Sequence, residues 1–495
     1  MNRYQRSKRK YIFLTLIILA VISSQAQPNL GLYPIEEQFN ASSFNPAFLH
    51  PKEKFTLSIF PFGGTSIGYN NQEVIKGLVK QTLLGISSDA DYKNVLHSLT
   101  DRSSFNQDIE STLFTFTARL KAGNFNFRIK EIQNFSTSLK GELTSFIFNS
   151  DIQSATIGHI QELPAQAMHY REYSLGYSLP ARNHKFSAGI RAKIYFGKAV
   201  IISGLSGSIQ NKSNNYILSA GGKINLSIPL VQTSQNGESI STFSLSGANA
   251  IKYIMNSGNP GYGIDLGIKY NIIPDLVVSL SVIDLGRIDW KTNLNSKVFD
   301  GAYPISSADV IKNSSGAGTE IITKNFRNSS FADTLSNRFV QTYDTVGFTT
   351  SLPVNIYAGI KYRINQKINI SLVDRYVALK NMNYNSIAVM ANIEVNKRLS
   401  LSTGYSIISN SYTNIPLAFL FKEDWGQIFF GSENLLAFII PSSSDFAGIT
   451  FGTCFYLFKG RNSSKYVSDD YPFYRQKNSK RNQKTGLIGK EFSEF

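Results

Sequence analysis

Phe186-Ser187-Ala188-Gly189-Ile190-Arg191-Ala192-Lys193-Ile194-Tyr195-Phe196 is the stretch on which the reading of this sequence turns. Phe186, Ala188, Ile190, Ala192, Ile194 and Phe196 form one parity, and Ser187, Gly189, Arg191, Lys193 and Tyr195 form the other. Successive strand side chains point to opposite faces, so a period of two gathers each set on its own side of a sheet. An α-helix would need a period near 3.6 to separate them. The alternation returns in Val354 to Ile364, where Asn355, Tyr357, Gly359, Lys361 and Arg363 face away from Ile356, Ile360 and their neighbours. It returns again in Leu399 to Ile407, against Ser400, Ser402, Gly404 and Ser406. Eleven residues at about 3.3 Å rise and about 40° tilt span on the order of 28 Å, close to the hydrocarbon thickness of a bilayer.

Further strand windows are Phe55 to Phe60, Leu113 to Leu120, Phe125 to Ile129, Tyr173 to Leu179, Tyr216 to Ile228, Tyr262 to Tyr270, Leu276 to Asp284, Ile368 to Asp374, Ile387 to Val395, Gln427 to Phe430 and Phe446 to Phe458. Several exceed the usual length of about 5 to 6 residues in soluble sheets. After the first 26 residues no apolar run reaches the length of a membrane-spanning helix. The chain is charge-poor (17% charged) and rich in Phe and Tyr, and its single cysteine, Cys454, allows no disulfide within the chain and no Cys-rich zinc site. A soluble β-sandwich or a secreted β-solenoid is the alternative, but no repeat of 20 to 50 residues is visible. In lipid only a helix or a closed barrel satisfies every backbone group. The expectation is therefore an all-β transmembrane antiparallel β-barrel in the cell outer membrane.

The flanks and interruptions divide the chain. Arg3, Arg6, Lys8, Arg9 and Lys10, then the apolar stretch Tyr11 to Ile22, then Ser24-Gln25-Ala26, follow the plan of a secretory signal, which places the mature start at Gln27. The barrel is expected over residues 27–458. Within it, Val74, Ile75, Leu78, Val79, Leu83 and Ile86 recur at helical spacing, predicting a helical insert over 71–99 that either packs at the barrel mouth or plugs the lumen. Lys291 to Ser351, rich in Ser, Thr, Asn and Gly, reads as a long loop. The tail 459–495 holds nine Lys/Arg against four acids and reads as basic and disordered. Clustered cations can signal nucleic acid, but those between Phe186 and Arg398 are single and alternate with apolar residues, which argues against that partner.

No motif carries catalysis. Gly261-Tyr-Gly263-Ile-Asp-Leu-Gly267 superficially matches a dinucleotide loop, yet Ile268-Lys-Tyr270 continues a strand where that loop needs a helix. Its glycines instead suit a crowded strand or room in the lumen. His50, His97, His159, His169 and His184 show no metal spacing. Asp284 and Asp289 bracket Arg287 in a strand-end turn, with Trp290 expected in an interfacial aromatic girdle. The expectation is a non-enzymatic protein with no cofactor, no metal ligands and no catalytic residues, and with binding residues left unassigned.

Three stretches together resemble a family. Asn45-Pro46-Ala47 follows the expected mature start, Gly261 to Gly267 and Pro274 to Trp290 form a hairpin ending in Asp284-Leu-Gly-Arg-Ile-Asp-Trp290, and Trp425-Gly-Gln-Ile-Phe-Phe-Gly-Ser-Glu-Asn-Leu-Leu436 precedes the last strand window. This resembles an uncharacterised family of outer-membrane barrels related to the long-chain fatty-acid transporter type and to the shuttle and anchoring barrels of type IX secretion. The resemblance implies about 14 antiparallel strands and an N-terminal segment able to enter the lumen. Two functions follow as expectations. One is a passive channel or carrier for small hydrophobic molecules, with outer-membrane lipid and that solute as partners. The other is a scaffold that anchors or presents secreted proteins, with those proteins or secretion machinery as partners.

Overall fold

The computed structural model describes residues 30–49, 53–70, 104–120, 122–138, 161–179, 185–212, 215–229, 247–305, 340–378, 383–409, 411–440 and 444–457. Within them, twenty strands join one antiparallel sheet. In chain order these are β1 (Phe55–Ile59), β2 (Thr65–Asn70), β3 (Ser104–Leu120), β4 (Gly123–Ser138), β5 (Gln161–Leu179), β6 (Phe186–Lys212), β7 (Asn215–Ser227), β8 (Pro260–Ile273), β9 (Leu276–Trp290) and β10 (Ser296–Ile305). They continue with β11 (Val340–Asp344), β12 (Phe348–Ser351), β13 (Val354–Arg363), β14 (Ile368–Ala378), β15 (Asn383–Glu394), β16 (Leu399–Ile408), β17 (Ser411–Asn414), β18 (Leu417–Lys422), β19 (Gly426–Ser432) and β20 (Phe446–Leu457). Two helices, α1 (Gly247–Ile254) and α2 (Leu436–Ile439), interrupt them.

Strands β1 and β2 run end to end between β3 and β20. The pairs Phe55↔Leu457 and Ile67↔Ile449 close the sheet into a 14-stranded barrel, leaving no open edge in the wall. The strand ends joined by two residues, Leu120 with Gly123 and Ile273 with Leu276, gather at one end, where β1 starts and β20 stops; the ends joined by long stretches of chain, Asn70 with Ser104, Ser227 with Pro260 and Trp290 with Phe348, gather at the other. In outer-membrane barrels short turns lie on the periplasmic side and long ones outside, which orients this barrel.

The two parities separate inside from outside. Ser187, Arg191, Lys193 and Tyr195 are buried in the lumen, while Ile190 and Ile194 stand exposed beside Leu266, Ile268, Leu280, Ile360, Leu372 and Val389 of neighbouring strands. An apolar belt of this extent encircling a wall is far larger than water tolerates and is what hydrocarbon requires. Phe186, Tyr270, Tyr362, Trp425 and Phe455 ring its periplasmic rim, exposed where aromatic side chains favour the lipid–water interface. The fold, the belt and the rim make this an outer-membrane β-barrel.

Two elements depart from the sequence expectation. Lys291 to Ser351 is not one loop: it carries β10, β11 and β12. Its weak pattern arises because β10 and β11 stand above the belt, out of reach of the lipid that imposes alternation lower down. Trp290 is not in a girdle but wholly buried inside. The register of β9 on β8 slips between Ile264 and Leu266, where Asp284 adopts φ 64°, and this bulge inverts the strand's faces. Below it Ser279, Ser281 and Ile283 point inward; above it Ile288 and Trp290 do. The expected helical insert at 71–99 and the basic tail at 459–495 lie outside the described residues.

Strand β6 outruns the wall. Its lower part pairs with β8 (Phe186↔Tyr270 to Phe196↔Pro260) and its upper part with β7, which in turn pairs with β10 and through it with β11. A second sheet segment thus stands above the belt. Asn259 stitches the fork: its Nδ2 donates to Gly197 O and Ser227 Oγ, both at 3.3 Å, and its Oδ1 accepts from the amides of Lys291 and Thr292 at 2.9 Å.

Candidate functional site

The lumen is filled by residues 30–49, which thread through three short 3-10 turns, Leu30–Leu32, Ala41–Ser43 and Pro46–Phe48. Asn45 caps the third turn by accepting the Ala47 amide at 2.8 Å, and Pro46 at its first position needs no donor. The described backbone hydrogen bonds of this segment run within it, from Tyr33 N→Leu30 O through Leu49 N→Pro46 O. Its links to the wall are made through side chains instead.

Those links form three kinds of contact. Leu30, Leu32, Tyr33, Ile35, Ala41, Phe44 and Phe48 pack against Ile283, Tyr357, Val373, Met390, Leu420 and Phe429 of the wall. Tyr33 stacks on Tyr357 with ring centroids 5.8 Å apart and meets Phe44 and Phe48 edge-on. Each such burial is worth about 1.5 to 3 kcal/mol before ordering costs. Polar pegs fix the register: Asn45 Nδ2 donates to Ile268 O (3.1 Å) and Leu280 O (3.3 Å), Ser281 Oγ to Phe44 O (2.6 Å), Asn124 Nδ2 to Leu49 O (2.7 Å), and Arg128 Nη2 to Ser42 Oγ (2.8 Å). Toward the periplasmic mouth, Glu36 pairs with Lys269 (2.5 Å) and Lys361, and Glu37 pairs with Lys422 (2.5 Å). Burial by itself pushes the Glu36 carboxyl up, but the two ammonium groups outweigh it and hold it well below the usual carboxylate range.

Glycines make room for this segment. Gly189 and Gly267 face each other across β6 and β8, and a Cβ on either would strike the Asn45-Pro46 stretch, at 2.2 Å from Pro46 C and 2.0 Å from Asn45 Oδ1 respectively. The alternating glycines of Gly261 to Gly267 therefore make room in the lumen.

Beside and above the Asn45-Pro46 turn lies a charged chamber. Lys193 Nζ sits 2.5 Å from Asp284, 2.9 Å from Asp265 and 3.3 Å from Glu172; Arg191 Nη1 lies 3.0 Å from Asp265, and Lys130 Nζ 2.5 Å from Glu110. With Arg128, four cations face four carboxylates, a balance that a buried site needs because an unpaired charge would cost several kcal/mol. Asp265 also accepts the backbone amide of Asp284 at 2.7 Å, so the bulge that inverts β9 is pinned by the network it feeds. The chamber encloses a cavity of ≈ 20 Å³ whose lining includes Ser43, Glu172, Arg191 and Tyr357. A polar cavity of that size admits a water molecule, not an organic solute.

Outward of the chamber is an apolar collar: Ile132, Met168, Tyr170, Tyr195, Val200, Ile288, Trp290 and Leu352, with Trp290 Nε1 donating to Thr350 Oγ1 at 3.0 Å. Sequence reasoning placed Arg191, Lys193 and Lys361 inward by alternation. It missed Glu110, Lys130, Glu172 and Asp265 as a group, since each is a single charge on a separate strand. It put Asp284 in a turn, where the structure puts it in the chamber. Of the five histidines only His169 falls among the described residues, and it sits on the outer wall. Among the described residues, no group of three or more His, Cys, Asp or Glu side chains is arranged to hold a metal ion.

Similarity to known proteins is distant. Among solved structures the chain is similar to the P. putida toluene transporter TodX, at 10% identity and TM-score 0.37 over 84% of this chain and 92% of that one. It is also similar to the KdgM porin in complex with disordered oligogalacturonate (9%, TM-score 0.18, 59% and 98% covered) and to the translocator domain of autotransporter NalP from Neisseria meningitidis (8%, TM-score 0.27, 83% and 90% covered). Comparison with curated protein sequences finds no match. Residues 46–433, from Pro46 of the lumen turn to Glu433 just beyond β19, match the model of a family of unknown function, and the chain belongs to that family, DUF5723.

Proposed function

We propose that this protein is a non-enzymatic outer-membrane channel gated by its own segment 30–49, passing small hydrophobic molecules by passive diffusion. The observation that carries the reading is that, among the described hydrogen bonds, none joins the backbone of the segment filling the lumen to the backbone of the wall: every link between the two uses a side chain on one side or the other. Such a piece can shift without opening a single ladder of the barrel, so the gate and the wall are mechanically separable. The collar of Met168, Tyr170, Ile288 and Trp290 supports a hydrophobic solute, because it lines the outer lumen with apolar side chains where water-filled pores carry polar ones.

Deletion of residues 30–49 tests this in planar bilayers and in vesicles loaded with an apolar dye. The expected result is a folded barrel with a many-fold rise in conductance and dye flux. A folded barrel with unchanged flux overturns the gate.

A second reading, a scaffold that anchors or presents secreted proteins in the manner of type IX secretion, draws support from the sheet segment of β6, β7, β10 and β11 standing above the belt. Photocrosslinkers at β10 in intact cells separate the two: recovered protein partners favour the scaffold. Export by a signal over 1–26, a barrel bounded at 27 and 458, and a basic tail over 459–495 complete the proposal, and N-terminal sequencing of the membrane-extracted protein checks the first of these.

A further inference from the structure

Strands β7 and β8 are two lengths of one descending line, both paired to β6, with β7 ending at Ser227 and β8 beginning at Pro260. Between them in the chain, α1 lies against the outside of the barrel. Tyr253 of α1 contacts His169, whose Nε2 lies 2.9 Å from Glu131, and Glu131 also accepts from Arg171 Nε at 2.7 Å. His169 and Arg171 alternate with the lumen-facing Met168, Tyr170 and Glu172, so this cluster belongs to the outer face. Beside it Lys198 Nζ donates to Asn256 O at 2.6 Å.

The height of this contact is set by the strands. His169 stands ten residues above Leu179 at the foot of β5, about 25 Å along the membrane normal at ordinary rise and tilt. That is where hydrocarbon gives way to headgroups. Charged groups on the outer wall would be costly in acyl chains, and α1 covers them with one side. Its other side presents Ile251 (64% exposed), Ile254 and Met255 (67% exposed) away from the barrel.

Further round the wall, beyond β3, α2 repeats the arrangement. Ala437 packs on Ala447 and Tyr69, which are outward residues of β20 and β2, while Phe438, Ile439 (64% exposed) and Ile440 point away. Phe446, just beyond α2, stands eleven residues above Leu457, the foot of β20, about 28 Å by the same arithmetic. Both helices therefore sit at one level, continuous with the lipid-facing belt, with apolar faces turned outward.

We infer that α1 and α2 are in-plane interfacial anchors whose apolar faces lie in the boundary between headgroups and acyl chains of the outer leaflet. Lipid is the occupant because the exposed faces continue the belt at the depth where amphipathic helices bind bilayers. Two anchors on different parts of the circumference fix the depth and tilt of the barrel, and with them the height of the sheet segment above it.

Site-directed spin labels test this, since the native Cys454 is wholly buried and leaves an introduced cysteine as the reactive one. Ile254→Cys and Ile439→Cys carry the label at the anchors, Val389→Cys marks the belt, and heat-modifiable gel migration confirms each barrel is folded. The full chain is reconstituted in vesicles of phosphatidylcholine and phosphatidylglycerol, and collision with oxygen and with a water-soluble nickel chelate is measured. The expected result is that both anchor labels report the same shallow depth, with oxygen and nickel collisions comparable, while Val389→Cys collides with oxygen alone. Nickel collisions at the level of a free aqueous label overturn the inference, as does exclusion of both reagents, which would mean that protein covers these faces.

Discussion

Asn45 lies so close to Gly267 that a methyl group on the glycine would fall 2.0 Å from Asn45 Oδ1. The contact joins the lumen segment to β8, and the Asn45 amide on its other side bonds the carbonyls of Ile268 and Leu280. Gly267→Val should expel the Asn45-Pro46 turn from its seat while leaving the lipid face untouched. Overpacking of this kind costs about 1 to 3 kcal/mol. The checks are a lower melting temperature in detergent and a raised single-channel conductance; a variant with wild-type values for both would mean that the turn does not depend on this contact.

Glu36 is held by two cations on different strands, Lys269 of β8 and Lys361 of β13. Lys361→Met leaves the half-buried carboxylate with one partner, at a cost of about 1 to 3 kcal/mol. Adding Glu36→Gln should return part of that loss, since the unpaired charge goes with it. A double-mutant cycle by thermal unfolding measures the coupling, and strictly additive losses would deny it.

Acid and base should act on the lumen segment through different carboxyls. Glu36 lies below the ordinary carboxyl value of 4.5 in the folded protein, so its contribution is present above that value and fades as pH falls through the lower, folded one. Glu433, which follows β19 and accepts the Leu30 amide, is pushed up to about 8 by burial and by Asp108, against the opposing pull of Arg375. Its contribution is complete below 4.5 and fades as pH rises through about 8. Melting temperature should therefore peak in the mildly acidic range. Glu433→Gln should flatten the alkaline limb and Glu36→Gln the acid limb; a limb that survives its substitution has another source.

Outward charges should be punished according to depth. Val389 stands mid-strand on β15 and Ile360 three residues from the periplasmic end of β13, and both face outward. Val389→Arg should cost about 2 to 4 kcal/mol and Ile360→Arg about 1 kcal/mol or less. Folding titrations into vesicles give both numbers, and equal costs would contradict the placement of the belt.

Much of the wall was legible because lipid imposes a rule on every residue that crosses it. Arg191 and Ile190 are assigned to opposite faces by position alone, and so are Lys361 and Ile360. The rule fails where the strand itself changes phase: counting by twos from Leu276 past Asp284 sends Trp290 outward, and only the left-handed residue at 284, bonded to Asp265, turns it in. A cue was present in Asp284-Leu285-Gly286, residue types that tolerate unusual backbone, but a bulge cannot be told from a regular strand without the partner strand's register. Strands β10 to β12 leave no mark in the sequence for a related reason, since β10 finds its partner in β7, across residues that show no common pattern.

The sequence by itself determined that this chain crosses a membrane on strands, because alternation is a local property written within each segment of about eleven residues. It also marked Asn45-Pro46-Ala47 and the glycines of Gly261 to Gly267 as special. Tertiary structure alone decided that these two stretches belong to each other, that Tyr33 meets Ser279 across 246 residues, and that Lys193 gathers Glu172, Asp265 and Asp284 from three strands. Closing a sheet into a barrel brings inward side chains from distant strands within bonding distance, and no periodicity along one strand records which neighbours the closure will supply.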